Sequence, residues 1–142
     1  MKLIVAIVAA VAMTSSAGAA VLRGAAPATP PFSKSLRVGD VVYLSGQIGI
    51  GPDGKLPRGI EAQTRQALNN IGDVLKQSGL GYGNIFHCTA MLADMKLWPD
   101  FNTAYLEFFP EPPLPTRSAF GANGLALGAL VEIECQASAG KK

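Results

Sequence analysis

The 142-residue chain contains one histidine, two cysteines and one tryptophan, and only 15% of its residues are charged. A protein-built zinc centre draws on three or four nitrogen and sulfur ligands, so this supply argues against metal chemistry. Lysines and arginines number 12 against 10 aspartates and glutamates, a formal charge of +2, and the charges stand singly along the chain. Nothing forms the basic stripe that grips a phosphate backbone, and nucleic acid is not expected as a partner. With 49% hydrophobic residues and 10 prolines, the composition fits one compact domain around a single core rather than a repeat array or a disordered scaffold.

Long apolar runs are lacking too. Leu3 to Met13 follows Met1-Lys2 and precedes the small residues Thr14 to Ala20. The run falls short of the roughly 20 residues that cross a bilayer. A positive end, an apolar centre and a small-residue tail together read as a secretory signal over residues 1–19, cleaved near Ala19 with Ala20 as the nearest alternative. Its loss removes Lys2 and lowers the net charge from +2 to +1. The expected mature protein is exported, periplasmic or secreted, and free of the membrane once the signal is gone. An oxidising destination leaves two readings open for Cys88 and Cys135: a disulfide if their strands adjoin, or two buried free thiols.

Residues 20–31 are small and proline-rich without periodicity, and read as a flexible arm leading into a domain at 32–140. Val41 to Ile48 is β-branched and aromatic between turn residues, which predicts one strand. Within Ile60 to Ser78, Ala67, Leu68, Ile71, Val74 and Leu75 recur at helical intervals, with Gly79 as the stop. Ile85 to Ala93 reads as a buried strand. Pro99 then opens a second helix that shows Phe101, Ala104, Tyr105 and Phe108 on one face until Pro110. Further prolines stiffen the approach to a short strand at Thr116 to Phe120. Ala129 to Ala139 alternates, with Glu132 and Glu134 on one face and Val131, Ile133 and Cys135 on the other. Two helices with one apolar stripe each, plus four or more strands, predict an α+β fold with both helices on one sheet face.

Gly49-Ile50-Gly51-Pro52-Asp53-Gly54 has the glycine spacing of a dinucleotide loop. Pro52-Asp53-Gly54 is turn chemistry, however, and no helix N-terminus follows directly to hold a pyrophosphate, so a hairpin turn is expected instead. His87 lacks the companions of a catalytic triad, and neither cysteine has an adjacent cation to activate it. Glu132 stands out, because a carboxylate in an apolar strand needs a partner or water. Arg117, in a stretch poor in charge, offers a planar fork of donors. From the residues alone two readings stay open. Glu132 or Glu134 bonds Arg117 and ties two strands together, or Arg117 and Glu132 serve a ligand.

Five segments stand in order across residues 30–140: Ser45-Gly46-Gln47-Ile48, Gln66 to Ile71, Asn102 through Tyr105 to Phe108-Phe109, Pro115-Thr116-Arg117-Ser118, and Val131-Glu132-Ile133-Glu134. Together they resemble the RidA/YjgF family of reactive-intermediate deaminases. The resemblance implies a chorismate-mutase-like α+β fold assembled as a homotrimer, with sheets lining a central barrel and ligand clefts between subunits. It also implies hydrolytic deamination of small 2-imino acids or enamines to 2-keto acids and ammonia, without cofactor or metal. On that pattern Arg117 holds the substrate carboxylate and Glu132 orients the attacking water, while Ser45, Gly46, Phe32 and Asn102 line the substrate site. An imine carbon is already electrophilic, so orientation, a placed water and proton handling suffice. The chain departs from the family pattern at Phe32, where a tyrosine is frequent, and at Ala119, where many members carry cysteine. The alternative reading is a non-catalytic exported protein of the same fold that binds keto or imino acids or acts as a holdase. RNA cleavage, at times attributed to the family, fits poorly with a charge of +1 and export.

Overall fold

Alternation along the final strand sets the plan of the molecule. The computed structural model describes residues 22–23 and 31–140. Its last strand, Val131–Ser138, buries Val131, Ile133, Cys135 and Ala137 and turns Glu132, Glu134, Gln136 and Ser138 to the other face. The preceding strands are β1 (Leu22–Arg23), β2 (Ser35–Val38), β3 (Val41–Leu44), β4 (Gln47–Ile48), β5 (Ile85–Leu92) and β6 (Thr116–Gly121), with Val131–Ser138 as β7. They form one sheet in the order β1-β2-β3-β7-β5-β6, with β4 also on β7. Among the described residues only the β5–β6 pair is parallel. The expected segment 1–19 lies outside the described residues, as does most of the arm at 20–31, of which Leu22–Arg23 add an edge strand to β2.

Both helices, α1 (Ile60–Gln77) and α2 (Trp98–Leu106), pack on the face that β7 makes apolar. The stripe read from the sequence is the buried one: Ala67, Leu68, Ile71, Val74 and Leu75 of α1 meet Phe101 and Tyr105 of α2 over Cys88, Ala90, Leu92 and Ile133. Each fully buried Leu, Ile or Phe contributes about 1.5–3 kcal/mol of transfer free energy, which offsets the cost of ordering the chain. The α1 stop is built as expected: Gly79 takes φ +70° and Leu80 N–H returns to the Leu75 carbonyl at 3.0 Å. None of the described helices is long and apolar enough to cross a membrane.

Three expectations are corrected or completed here. Val41 to Ile48 is two strands rather than one, because a bulge interrupts it: Tyr43 faces Gln136 but Gln47 faces Ile133, leaving one residue more on this side than on β7. Ser45 pins the break, its N–H reaching the Lys34 carbonyl at 3.0 Å and its hydroxyl the Ser33 carbonyl at 2.6 Å. The turn at 51–55 closes through Gly51 N–H on the Lys55 carbonyl at 2.8 Å, yet it leads into α1 and not into a returning strand. Of the two cysteine readings, the disulfide holds: Cys88 and Cys135 are directly opposed on β5 and β7 and are joined. Strand β2 has no counterpart in the sequence reading. Its four residues are too few for a visible period.

Candidate active site

Arg117 enters the fold on β6, the strand at one edge of the sheet, and lies in register with Cys88 of β5 on the helix-covered face. There α2 receives it. Its Cζ lies 4.5 Å from the centroid of the Tyr105 ring and 5.1 Å from that of Phe101, and its Nη2 donates to Asn102 Oδ1 at 2.6 Å. Helical spacing supplies this arrangement, since Phe101, Asn102 and Tyr105 fall on adjoining turns of one short helix. Ring faces stabilise a partly desolvated cation without neutralising it. Among the described residues no carboxylate comes within ion-pair range of Arg117. The strand-tying reading of Glu132 or Glu134 with Arg117 is thereby set aside. Tyr105 responds to the same environment: burial pushes its phenol above the usual range, and the Arg117 charge opposes that in part. Its buried hydroxyl meets no partner among the described residues.

A second group assembles at the β3–β4 break. Glu132 pairs with Ile48 of β4, and its side chain lies over Gly46, whose missing Cβ is the space Glu132 Oε1 occupies. Any side chain at position 46 would displace that carboxylate. Ser45 and Phe32 line one cavity beside it, on the helix-free face of the sheet. The Ser45 hydrogen is committed to the Ser33 carbonyl, so its oxygen is left as an acceptor. Phe32 is 55% exposed, and its ring carries no hydroxyl to bond water or a ligand.

The residues expected to share one site thus form two groups, Arg117 with Asn102 and Glu132 with Gly46, Ser45 and Phe32. Arg117 is level with Cys135 across β5, and Glu132 lies three residues farther along β7. Two strand spacings and three residues put their Cα atoms about 14 Å apart. The odd offset also turns Glu132 to the opposite face. A single chain therefore does not bring the pair together. The helical periodicity marks Phe101 and Tyr105 only as a buried helix face, and their spacing around Asn102 is the one sequence sign that the same turn cradles a cation. Among the described residues, no group of three or more His, Cys, Asp or Glu side chains is placed to hold a metal.

A family profile described as Endoribonuclease L-PSP matches residues 23–139. The chloroplastic Reactive Intermediate Deaminase A of Arabidopsis thaliana is 39% identical over 110 residues, covering 76% of this chain and 58% of that protein. The 2-iminobutanoate/2-iminopropanoate deaminase of Mus musculus is 38% identical over 78% of this chain and 82% of its own length. Among solved structures, YyfA of Yersinia pestis, of the conserved Rid protein family, superposes with a TM-score of 0.74 at 38% identity, covering 78% of this chain and 90% of that one. TdcF of E. coli with bound serine gives a TM-score of 0.73 at 31% identity, covering 78% of this chain and 90% of that one. The profile match, the curated relatives and the shared fold agree: this chain belongs to the RidA/YjgF family, in which imine deaminases are its relatives.

Proposed function

We propose that this protein hydrolyses small 2-imino acids, or their enamine tautomers, to 2-keto acids and ammonia in a cleft completed between copies of a homotrimer. The observation that carries the reading is the unpaired Arg117 guanidinium, stacked on two rings and steadied by Asn102. One donor is committed and the others are left for a planar anion, which a carboxylate matches bidentately. Glu132, on the opposite sheet face, acts on a substrate held by the Arg117 of a neighbouring copy. It accepts a hydrogen bond from water and aims its oxygen at the imine carbon. Water adds to that carbon, its proton passes to the nitrogen, and the carbinolamine expels ammonia to leave the keto acid. Asn102 and the ring stack hold Arg117 in a single orientation, so the entropy of positioning is lost on folding rather than at reaction. The missing side chain at Gly46 is what lets the Glu132 carboxylate take its place in the cleft.

The proposed setting is outside the cytoplasm, on the strength of the signal-like residues 1–19, and the Cys88–Cys135 disulfide is consistent with an oxidising compartment. The test generates imines in situ with an amino-acid oxidase and follows trapping by semicarbazide. The mature protein should speed keto-acid release, and Arg117→Ala should lower kcat/KM at least tenfold, about 1.4 kcal/mol of transition-state stabilisation. Wild-type turnover in that variant contradicts the assignment. Keto-acid binding with no acceleration identifies the non-catalytic binder.

A further inference from the structure

Beside its apolar stripe, α1 carries polar side chains that core packing does not explain. Gln63, Gln66 and Asn70 stand at i, i+3 and i+7 and so share one face of the helix. Asn70 commits both hydrogens of its amide: Nδ2 donates to the Ile48 carbonyl at 3.1 Å and to the Ile50 carbonyl at 3.0 Å. Gln66, one turn earlier, donates from Nε2 to Asn70 Oδ1 at 2.9 Å. The Asn70 amide therefore has one orientation, since the reverse would turn its oxygen against two carbonyl oxygens. The strand it holds, β4, is two residues long and among the described residues pairs with β7 alone, Ile48 opposite Glu132. So short a strand has few ladder bonds of its own. At its other end Gln47 Nε2 donates to the Ser45 carbonyl at 3.1 Å and to the Gly46 carbonyl at 3.0 Å. Two side-chain amides thus fix the backbone of residues 45–50, which includes the glycine against which the Glu132 carboxylate lies. Gln63 serves β7 in the same way, its Oε1 accepting from the Leu130 N–H at 2.8 Å, two residues before Glu132. Each of these bonds lies within one chain and needs no neighbouring copy.

We propose that Asn70 is a positioning residue for Glu132, so that α1 sets the water-orienting half of the site as α2 sets the Arg117 half. The inference rests on the function proposed above. Without the Asn70 amide the Ile48 and Ile50 carbonyls lose their donor, the two-residue strand is free to shift, and Gly46 moves relative to the carboxylate that fills its open side. A displacement of about 1 Å at a group that aims water costs roughly a hundredfold in rate. Substrate capture by Arg117 is untouched, because no bond of this clamp reaches β6 or α2.

The test compares wild type, Asn70→Ala, Gly46→Ala and the double variant as full mature chains, using the alanine-derived imine. In Asn70→Ala kcat should fall at least about tenfold, with KM and 2-ketobutyrate binding within about twofold of wild type. Because Gly46→Ala already displaces the carboxylate, the double variant should lie within about twofold of Gly46→Ala, whereas a general loss of packing multiplies the two defects. Unchanged kcat in Asn70→Ala, a matching loss of keto-acid binding, or multiplied defects in the double variant overturns the proposal and leaves the hydrolase reading standing. Should Asn70→Ala not fold, Gln66→Leu removes only the bond that orients the amide. A kcat loss of about threefold at constant KM then upholds the clamp, and wild-type kcat overturns it. If the wild type hydrolyses no imine, the hydrolase reading fails and a crystal structure of Asn70→Ala decides the clamp separately. A Glu132 carboxylate displaced from Gly46 upholds it, and one still in place overturns it.

Discussion

The β6 edge and the β7 face handle charge in opposite ways. At the edge, Arg117 is a cation with no acid against it among the described residues, lying over two rings and steadied by one amide. On the face, Glu134 lines a cavity with hydroxyls, an amide and aromatic rings, Glu132 lies over Gly46, and among the described residues no cation pairs with either. Elsewhere the same chain pairs its charges freely, as in the bridge of Arg65 to Glu107 at 2.7 Å and to Glu61 at 3.0 Å. That pairing is an ordinary surface arrangement, and it holds the Glu107 carboxyl below the usual range through the Arg65 hydrogen bond. On the function proposed above, these two groups, kept apart on opposite faces of one sheet, are completed by a ligand and by another copy.

Removing the brace between the two regions should have the largest effect. The disulfide joins β5, which neighbours Arg117, to β7, which carries Glu132, and its ends are separated by 47 positions in sequence. Replacing both Cys88 and Cys135 by alanine should cost about 4 kcal/mol in urea unfolding at fixed protein concentration, from loop-closure entropy. A loss below about 1 kcal/mol would mean that the sheet needs no brace there. Next comes Gly46→Ala, whose Cβ falls where Glu132 Oε1 lies. Imine hydrolysis should drop at least about tenfold in kcat, while 2-ketobutyrate binding at Arg117 stays within about twofold. Equal loss of both would show that the two regions are not separable. The smallest effect concerns Tyr105. Burial favours its neutral phenol in the folded chain, so the stability it contributes is present below the usual phenol range and is lost as pH rises through the higher folded value. Arg117→Ala removes the charge that opposes this shift, and ultraviolet titration should show the Tyr105 phenolate forming at still higher pH. A downward move would place the guanidinium elsewhere.

Much of this arrangement was legible from residue order. The α1 stripe, the β7 alternation and the proline-stiffened approach to Arg117 each follow from local periodicity or backbone restriction, and each is present. What stayed hidden depends on neighbours distant in sequence. Ser45 breaks its strand because the Ser33 and Lys34 carbonyls lie across from it. The cysteines pair because β5 and β7 adjoin in one register, which no spacing between positions 88 and 135 encodes. The bond from Arg117 to Asn102 was not legible from the motifs, which give Asn102 only as a residue of the substrate site, and Phe101 and Tyr105 give only a hydrophobic signal because a ring that stacks on a cation is patterned like one that fills a core. The separation of Arg117 from Glu132 turns on strand order, and the sequence motifs by themselves suggested a single pocket.

That separation gives the most direct test. Subunits carrying Arg117→Ala and subunits carrying Glu132→Gln, each with little hydrolase activity alone, are unfolded, mixed in equal amounts and refolded together. If each site takes its arginine from one copy and its glutamate from the next, random assembly leaves one interface in four intact and should restore about a quarter of wild-type imine hydrolysis. A mixture that stays as inactive as its two parents would contradict a site built between copies.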